Sequence, residues 1–223
     1  MNKVLVVLAA VGLLLICAAA QAAVWDLSSD WSDVQNPMGV WSLKKSPAAL
    51  FTINGAWGDS QHAWYDVFVP VWMKRSNGDI WAHGAEFDYT GTNQTSVVFT
   101  SPREGAFKVT GAIWEISSNR RSMSWELRKN GAVLSAGTVI TDGRYTRSSP
   151  FNLATGTGGP TVLEQNLGAG DQIELAFISN SQGGRLGDFL GLTIVVGSVP
   201  EPSSLLALSG GLACLISVLR RRR

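Results

Sequence analysis

Short runs of alternating polar and apolar residues fill most of the chain, and this pattern favours β-strands over amphipathic helices. The run Ser122–Lys129 alternates in this way, and Ala132–Thr141 follows it closely. Asn130-Gly131 stands between the two runs, and this pair is a strong signal for a two-residue hairpin. The chain contains 24 glycines, several of them in turn pairs between such runs. We therefore predict an all-β fold of short antiparallel strands.

Further runs extend this pattern towards the C-terminus. In the longest, Ala106–Ile116, Gly111 interrupts the alternation and predicts a β-bulge. The other runs are Ser96–Thr100, Thr161–Leu167, Asp171–Ile178 and Asp188–Val196. Short antiparallel strands need a second sheet to cover their apolar faces. We therefore predict one domain over residues 23–198, with the fold of an antiparallel β-sandwich or jelly roll.

The first 22 residues have the three parts of a secretory signal peptide. Lys3 supplies the positive charge, Val4–Ile16 the apolar helix, and Ala20-Gln21-Ala22 the small residues of a cleavage site. We predict a signal helix that directs export through the Sec translocon and is removed by signal peptidase after Ala22. An uncleaved N-terminal anchor is the alternative.

A second apolar segment lies near the C-terminus. Ser203–Leu219 carries no charge, and a helix of this length spans about 25 Å, the short end of what crosses a bilayer. Arg220, Arg221, Arg222 and Arg223 follow it and would remain on the cytoplasmic side as a membrane stop. We predict a transmembrane helix, with a buried core helix as the alternative.

Three residues before this segment make its pattern specific. Pro200-Glu201-Pro202, an apolar helix and a terminal arginine cluster together resemble the PEP-CTERM sorting signal of Gram-negative bacteria, over residues 199–223. The same tail has been labelled an ice-binding protein C-terminal domain, but no regular Thr-x-Thr array supports ice binding. The resemblance implies that an exosortase recognises Pro200, Glu201 and Pro202. The helix would then be removed and the protein released to the cell surface or exopolysaccharide matrix.

The body has a weaker resemblance of its own. Asn36-Pro37-Met38-Gly39-Val40-Trp41 resembles an Asn-Pro-x-Gly-x-Trp opening of exported proteins, and the order of strands resembles that of non-catalytic jelly-roll modules in PEP-CTERM proteins and carbohydrate-binding families. This resemblance implies a fold more than an activity.

Charge and cysteine content exclude several classes of function. The whole chain has a net charge of +1, but without the two end segments the net charge is about −3. No basic field is left to attract nucleic acid. Cys17 and Cys214 both lie in the end segments, so the domain has no disulfide and no thiolate for catalysis or metal binding.

Tryptophan is the unusual component of the domain. Of nine tryptophans, seven lie before residue 82, and Trp57, Trp64 and Tyr65 stand in polar, turn-like surroundings. Flat aromatic rings stack on the C–H faces of sugars, so we predict these three as candidate glycan-stacking residues. The alternative for each ring is core packing, which a sandwich without disulfides needs.

Catalytic and metal sites have little support in the sequence. Glu86 and Asp88 share one strand face, and Glu115 and Glu126 could face each other across neighbouring strands, but solvated surface acids explain both pairs. His62 and His83 lack acidic partners at ligand spacing, so we predict no transition-metal site. A structural calcium ion, for instance near Asn77-Gly78-Asp79, remains an alternative, and the sequence assigns no ligands to it.

Together these observations predict an exported, exosortase-sorted surface or matrix protein without catalytic activity or cofactor. Its domain would associate with exopolysaccharide through a carbohydrate-binding-like sandwich. A purely structural or adhesive matrix protein is the first alternative, and a divergent glycan hydrolase is the second.

Overall fold

The computed structural model describes residues 22–58, 60–66, 69–84, 94–117, 120–180 and 189–200. The predicted signal and transmembrane helices, Glu201, Pro202, the terminal arginines and the pair Glu86 and Asp88 lie outside these ranges. No helix within them is long and apolar enough to cross a membrane. The strands, in chain order, are β1 (Val24–Asp26), β2 (Trp41–Lys44), β3 (Ile53–Trp57), β4 (Ser60–Tyr65), β5 (Val71–Lys74), β6 (Ile80–His83), β7 (Gln94–Thr100), β8 (Gly105–Glu115), β9 (Ser122–Lys129), β10 (Ala132–Ile140), β11 (Phe151–Asn152), β12 (Glu164–Leu167), β13 (Gln172–Ser179) and β14 (Phe189–Val199).

These strands form two antiparallel sheets, which confirms the all-β sandwich. The nine-stranded sheet has the order β11-β8-β14-β6-β5-β4-β3, with β1 paired to β14 and β12 paired to β8. The five-stranded sheet has the order β10-β9-β13-β7-β2. Two 3-10 helices, Leu153–Thr155 and Pro160–Leu163, lie between β11 and β12.

The space between the sheets holds the main core, to which both sheets contribute. Trp41, Trp72 and Trp125 are fully buried there. Replacing a core tryptophan by alanine costs about 3–5 kcal/mol, a large part of a domain's net stability. In the absence of disulfides, these three rings therefore serve packing.

Strand β14 lies at the centre of the larger sheet. One of its edges pairs with β8 over the whole length from Leu190 to Val199. Its other edge pairs first with β6 and then with β1, where Trp25 lies opposite Val196. The last described strand thus holds the first strand in place.

The predicted hairpin at Asn130-Gly131 is confirmed. Asn130 and Gly131 have φ angles of 48° and 85°, the left-handed conformation of a type I′ turn between β9 and β10. The Asn130 side chain also accepts a hydrogen bond from the Gln172 amide at 2.8 Å and donates one to the Asp171 carboxylate at 3.0 Å. The bonds that Asp171 accepts, first from the Gly168 amide and then from Asn130, lower its pKa.

The predicted bulge at Gly111 is wrong, because β8 and β14 pair without a register shift around it. Gly111 instead allows a close approach: a Cβ atom there would collide with the Thr193 carbonyl oxygen and lie 2.9 Å from Leu153 Cδ1. Phe107, Val109 and Ile113 all point into the core on the same side of β8.

The Asn36–Trp41 segment has a structural role. The Asn36 side-chain amide donates hydrogen bonds to the carbonyl oxygens of Leu43 and Phe51, and its side-chain oxygen accepts one from the Leu43 amide. The side chain thus makes the hydrogen bonds that a neighbouring strand would otherwise make. Gly39 takes a φ of 62° in the turn, and Trp41 enters the core with its indole nitrogen 3.0 Å from Asp30. These contacts explain the residues of the motif without a ligand.

Gly111 should be sensitive to a single methyl group. We expect Gly111→Ala to lower the free energy of unfolding by about 1–3 kcal/mol, because the β8–β14 backbone would have to separate. Urea unfolding measures this value, with the exposed neighbour Thr110→Ala as the control. A Gly111→Ala protein as stable as the control would contradict the close approach.

Candidate functional site

An aromatic cluster covers the outer face of the nine-stranded sheet, on the side away from the main core. Trp57, Tyr65, Trp81 and Phe189 are each half-buried and pack around Ala63, Val71 and Met73. Trp57 and Phe189 meet edge to face with ring centroids 5.6 Å apart, and Trp81 lies 6.3 Å from Phe189. We call these four rings the aromatic surface.

Strand alternation explains why the rings collect on this face. Successive residues of a strand point to opposite faces of the sheet. On β4, Trp64 points into the main core while Ala63 and Tyr65 point outward. On β5, Trp72 points inward, and Trp81 on β6 points outward. The aromatic surface therefore follows from the register of five neighbouring strands, β3 to β6 and β14.

A cross-strand row extends this face as far as Trp114. The row runs through Ala63, Met73, Trp81, Gly191 and Trp114, each paired with the next. The Trp114 ring lies directly over Gly191, where a Cβ atom would collide with the indole. Glycine at this position lets an indole lie flat against the backbone of the sheet.

Two arginines lie over these indoles. The Arg75 guanidinium carbon is 4.4 Å from the centre of the Trp81 ring, and that of Arg147 is 6.0 Å from Trp114. Arg147 donates two hydrogen bonds to Asp79, at 2.7 and 2.8 Å. The hydrogen bond to Asp79 and its negative charge raise the pKa of Arg147. Cations thus border the aromatic surface beside a fixed carboxylate.

The predicted stacking residues separate into two groups. Trp57 and Tyr65 lie together on the aromatic surface. Trp64 is only 4% exposed in the main core, where its indole donates to the Ser32 carbonyl oxygen at 2.9 Å. Its ring offers no face to a ligand, because the alternation of β4 directs it inward. The sequence prediction did not include Trp81 and Phe189, although the position of Trp81 in the run Ile80–His83 was a usable signal.

A separate cleft opens near the N-terminal strand. It has a volume of about 310 Å³ and is lined by Trp25, Asp30, Ser32, Gln35, Met38, Gly39 and Val40. Asp30 accepts the Trp41 indole, so one of its carboxylate oxygens has a structural partner. This cleft is a second place where an aromatic ring stands beside polar groups.

The structure does not bring Glu115 and Glu126 together across neighbouring strands. Glu115 belongs to β8 of the larger sheet and Glu126 to β9 of the smaller one. Glu126 lies 2.6 Å from Arg128, which also contacts Glu174 at 3.4 Å. Glu115 accepts the backbone amide of Gly143. Each of the three carboxylates thus has a partner within the fold.

Metal-binding side chains do not gather within the described residues: no group of three His, Cys, Asp or Glu there could hold an ion. In the Asn77–Asp79 turn, Asp79 accepts bonds from Arg147 and from the Asn77 amide. Its carboxylate is therefore already engaged by protein groups.

The two ends of the domain meet at one point. The Ala23 amide donates to Ser198 Oγ at 2.8 Å, and the Ser198 amide donates to the Ala23 carbonyl oxygen at 2.8 Å. Arg103 donates to the same Ser198 hydroxyl at 2.8 Å. Pro200 follows β14 by one residue. The predicted signal-peptide cleavage site and the sorting motif therefore adjoin neighbouring strands.

The Arg147–Asp79 pair should be structural. We expect Arg147→Ala to lower the free energy of unfolding by more than its control variant does, because a carboxylate that is 8% exposed loses two hydrogen bonds. Arg144→Ala is the matched control, since Arg144 is 66% exposed and lies 3.7 Å from Asp142, a surface pair worth about 0–1 kcal/mol. Equal stability of the two variants, measured by urea unfolding, would contradict this role.

Several solved structures align with the chain at low similarity. A family 35 carbohydrate-binding module from Clostridium thermocellum is 9% identical, with a TM-score of 0.33 and coverage of 79% of this chain and 98% of that one. The CBM36-1 domain of a xylanase from the hindgut metagenome of Trinervitermes trinervoides is 11% identical, with a TM-score of 0.29 and coverage of 72% and 98%. A β-glucosidase from Paenibacillus barengoltzii is 20% identical with a TM-score of 0.27; the alignment covers 46% of this chain and 9% of that enzyme. Scores at this level carry no argument about function.

The C-terminal end matches a known family. No curated protein matches the chain. Residues 198–223 match the family described as the PEP-CTERM protein-sorting motif, a match that includes Pro200-Glu201-Pro202 and the terminal arginines. The chain thus carries a PEP-CTERM sorting motif directly behind its β-sandwich, and this motif implies export, exosortase processing and sorting to the cell surface.

Proposed function

We propose that this protein is a non-catalytic component of the cell surface or extracellular matrix, and that its sandwich associates with exopolysaccharide through the aromatic surface. The observation that carries the proposal is the assembly of Trp57, Tyr65, Trp81 and Phe189 on one outer face. Aromatic rings gathered on one face can stack on sugars of a polymer, while polar groups nearby bind the hydroxyls.

The route to the surface uses both ends of the chain. Signal peptidase removes residues 1–22, and the helix within Ser203–Leu219 retains the precursor in the membrane. An exosortase then cuts near Pro200-Glu201-Pro202 and releases the domain. The limits of the fold support this order, because β1 begins at Val24 and β14 ends at Val199. Neither cut would remove a strand.

The finer fold class belongs to the same proposal. From β6 to β9, successive strands alternate between the two sheets. β13 and β14 cross between the sheets in the same way. Crossings of this kind are typical of a jelly roll, the class in which many lectin-like domains fall.

A non-catalytic role fits the partners of the carboxylates. Hydrolysis of a glycosidic bond needs two carboxyl groups that face each other across the substrate. Glu115 and Glu126 lie in different sheets, and Glu126 and Glu174 share Arg128. Within the ranges that the structure describes, these arrangements favour binding or a structural role over hydrolysis.

Affinity electrophoresis tests the proposed binding. Full-length protein in mild detergent is run through native gels that contain single polysaccharides, among them the exopolysaccharide of the producing cells. We expect retardation by at least one polymer, and a roughly tenfold loss of affinity in Trp57→Ala or Trp81→Ala, since one ring contact is worth about 1.4 kcal/mol.

The matched control is Tyr145→Ala, which removes a half-buried ring that packs against the main core. If Trp25→Ala lost binding and the variants of the aromatic surface did not, the binding site would be the cleft beside Asp30. No retardation by any polymer would contradict polysaccharide binding and leave the structural or adhesive matrix protein as the function.

A further inference from the structure

Both chain ends leave the sandwich at the same end, which we call the exit end. Ala23 and Ser198 are joined there by two hydrogen bonds. The loop at residues 101–104, the turn at Asn130-Gly131 and the loop at residues 168–171 lie at this end too, since they adjoin Thr100, Lys129 and Gln172, which pair across the smaller sheet. The exit end is therefore a shared surface of both sheets.

The connection between the exit end and the predicted membrane helix is very short. Val199 is the last strand residue, and the apolar segment begins at Ser203. Three residues span at most about 11 Å when fully extended. Proline restricts two of these three residues, which limits the freedom of the connection further. A precursor held by this helix must keep its exit end close to the bilayer.

The side chains of the exit end suit a lipid surface. Val24, Val133 and Val199 are 64%, 54% and 41% exposed, and all three lie at this end. Arg103 is exposed, and Lys129 donates to the Asn166 carbonyl oxygen. Exposed apolar side chains that lie together favour contact with a membrane surface.

The charged groups at this end balance one another, so the exposed valines give this end its affinity for a lipid surface. Asp171 is bound by the Gly168 amide at 2.9 Å and by Asn130 at 3.0 Å. Glu164 pairs with Lys108 at 2.9 Å. Glu104 is exposed next to Arg103. These three carboxylates and the three cations Arg103, Lys108 and Lys129 leave no net charge among them.

We propose that in the membrane-tethered precursor the exit end lies against the lipid surface, so that the sandwich stands upright with β14 directed away from the bilayer. The orientation rests on the proposed membrane helix. Phe189, at the far end of β14, is then about 33 Å from Val199, the length of an 11-residue strand. The aromatic surface is thus held away from the membrane and towards the polysaccharide before the protein is released.

Two exposed residues on one strand provide a matched test. Val133 lies near the exit end of β10 and Ile140 at its other end, with exposures of 54% and 40%. Each is changed to cysteine in a full chain with Cys17→Ser and Cys214→Ser, and a donor fluorophore is attached. The proteins are reconstituted into liposomes of zwitterionic and anionic phospholipid that carry a headgroup-linked acceptor.

Energy transfer to the headgroup-linked acceptor then measures the distance of each labelled position from the membrane surface. The two sites are about 23 Å apart along β10, so we expect transfer from position 133 to exceed that from position 140 by at least about twofold.

Equal transfer from both positions, or higher transfer from position 140, would overturn the upright orientation. A difference that appears only when the membranes also contain the sorting enzyme would show that the exit end binds a protein instead of lipid. No polysaccharide is present in the liposomes, so failure of the orientation and failure of polysaccharide binding are distinguishable.

Discussion

The pairing of β14 with three other strands is the constraint on which the rest of the structure depends. β8 covers one edge of β14, and β6 and β1 share the other. Because the domain has no cysteine, no covalent link can replace these contacts. β14 fixes the N-terminal strand, carries Phe189 to the aromatic surface and leads the chain to Pro200. One strand thus connects the candidate binding site to the sorting motif.

Much of the fold could be predicted from alternation and turn chemistry. The Asn130-Gly131 turn and the strands around it follow from local rules, because a two-residue hairpin sets its own register. The role of Gly111 could not be predicted in this way. It depends on the backbone of β14, some 80 residues further along the chain, and the residues next to Gly111 in the sequence do not indicate this contact.

The candidate site was predictable only in part, for a related reason. Trp57 and Tyr65 were identified from their polar surroundings, but Trp64 has the same surroundings and points into the core. Alternation within β4 explains the difference, and a change of register by one residue would exchange these faces. Phe189 joined the cluster only through the pairing of β14 with β6. The aromatic surface is therefore built from strands that are distant in the sequence, and the order of residues alone does not show that its rings lie together.

The central claim is that a complete β-sandwich is exported and released at the sorting motif directly behind its last strand. The most direct measurement is the intact mass of the protein released by the producing cells. A chain that begins at Ala23 and ends within Pro200–Pro202 is the predicted result, because this form retains every strand from β1 to β14. A released chain that retains Ser203–Leu219, or one that ends before Ser198, would contradict the account.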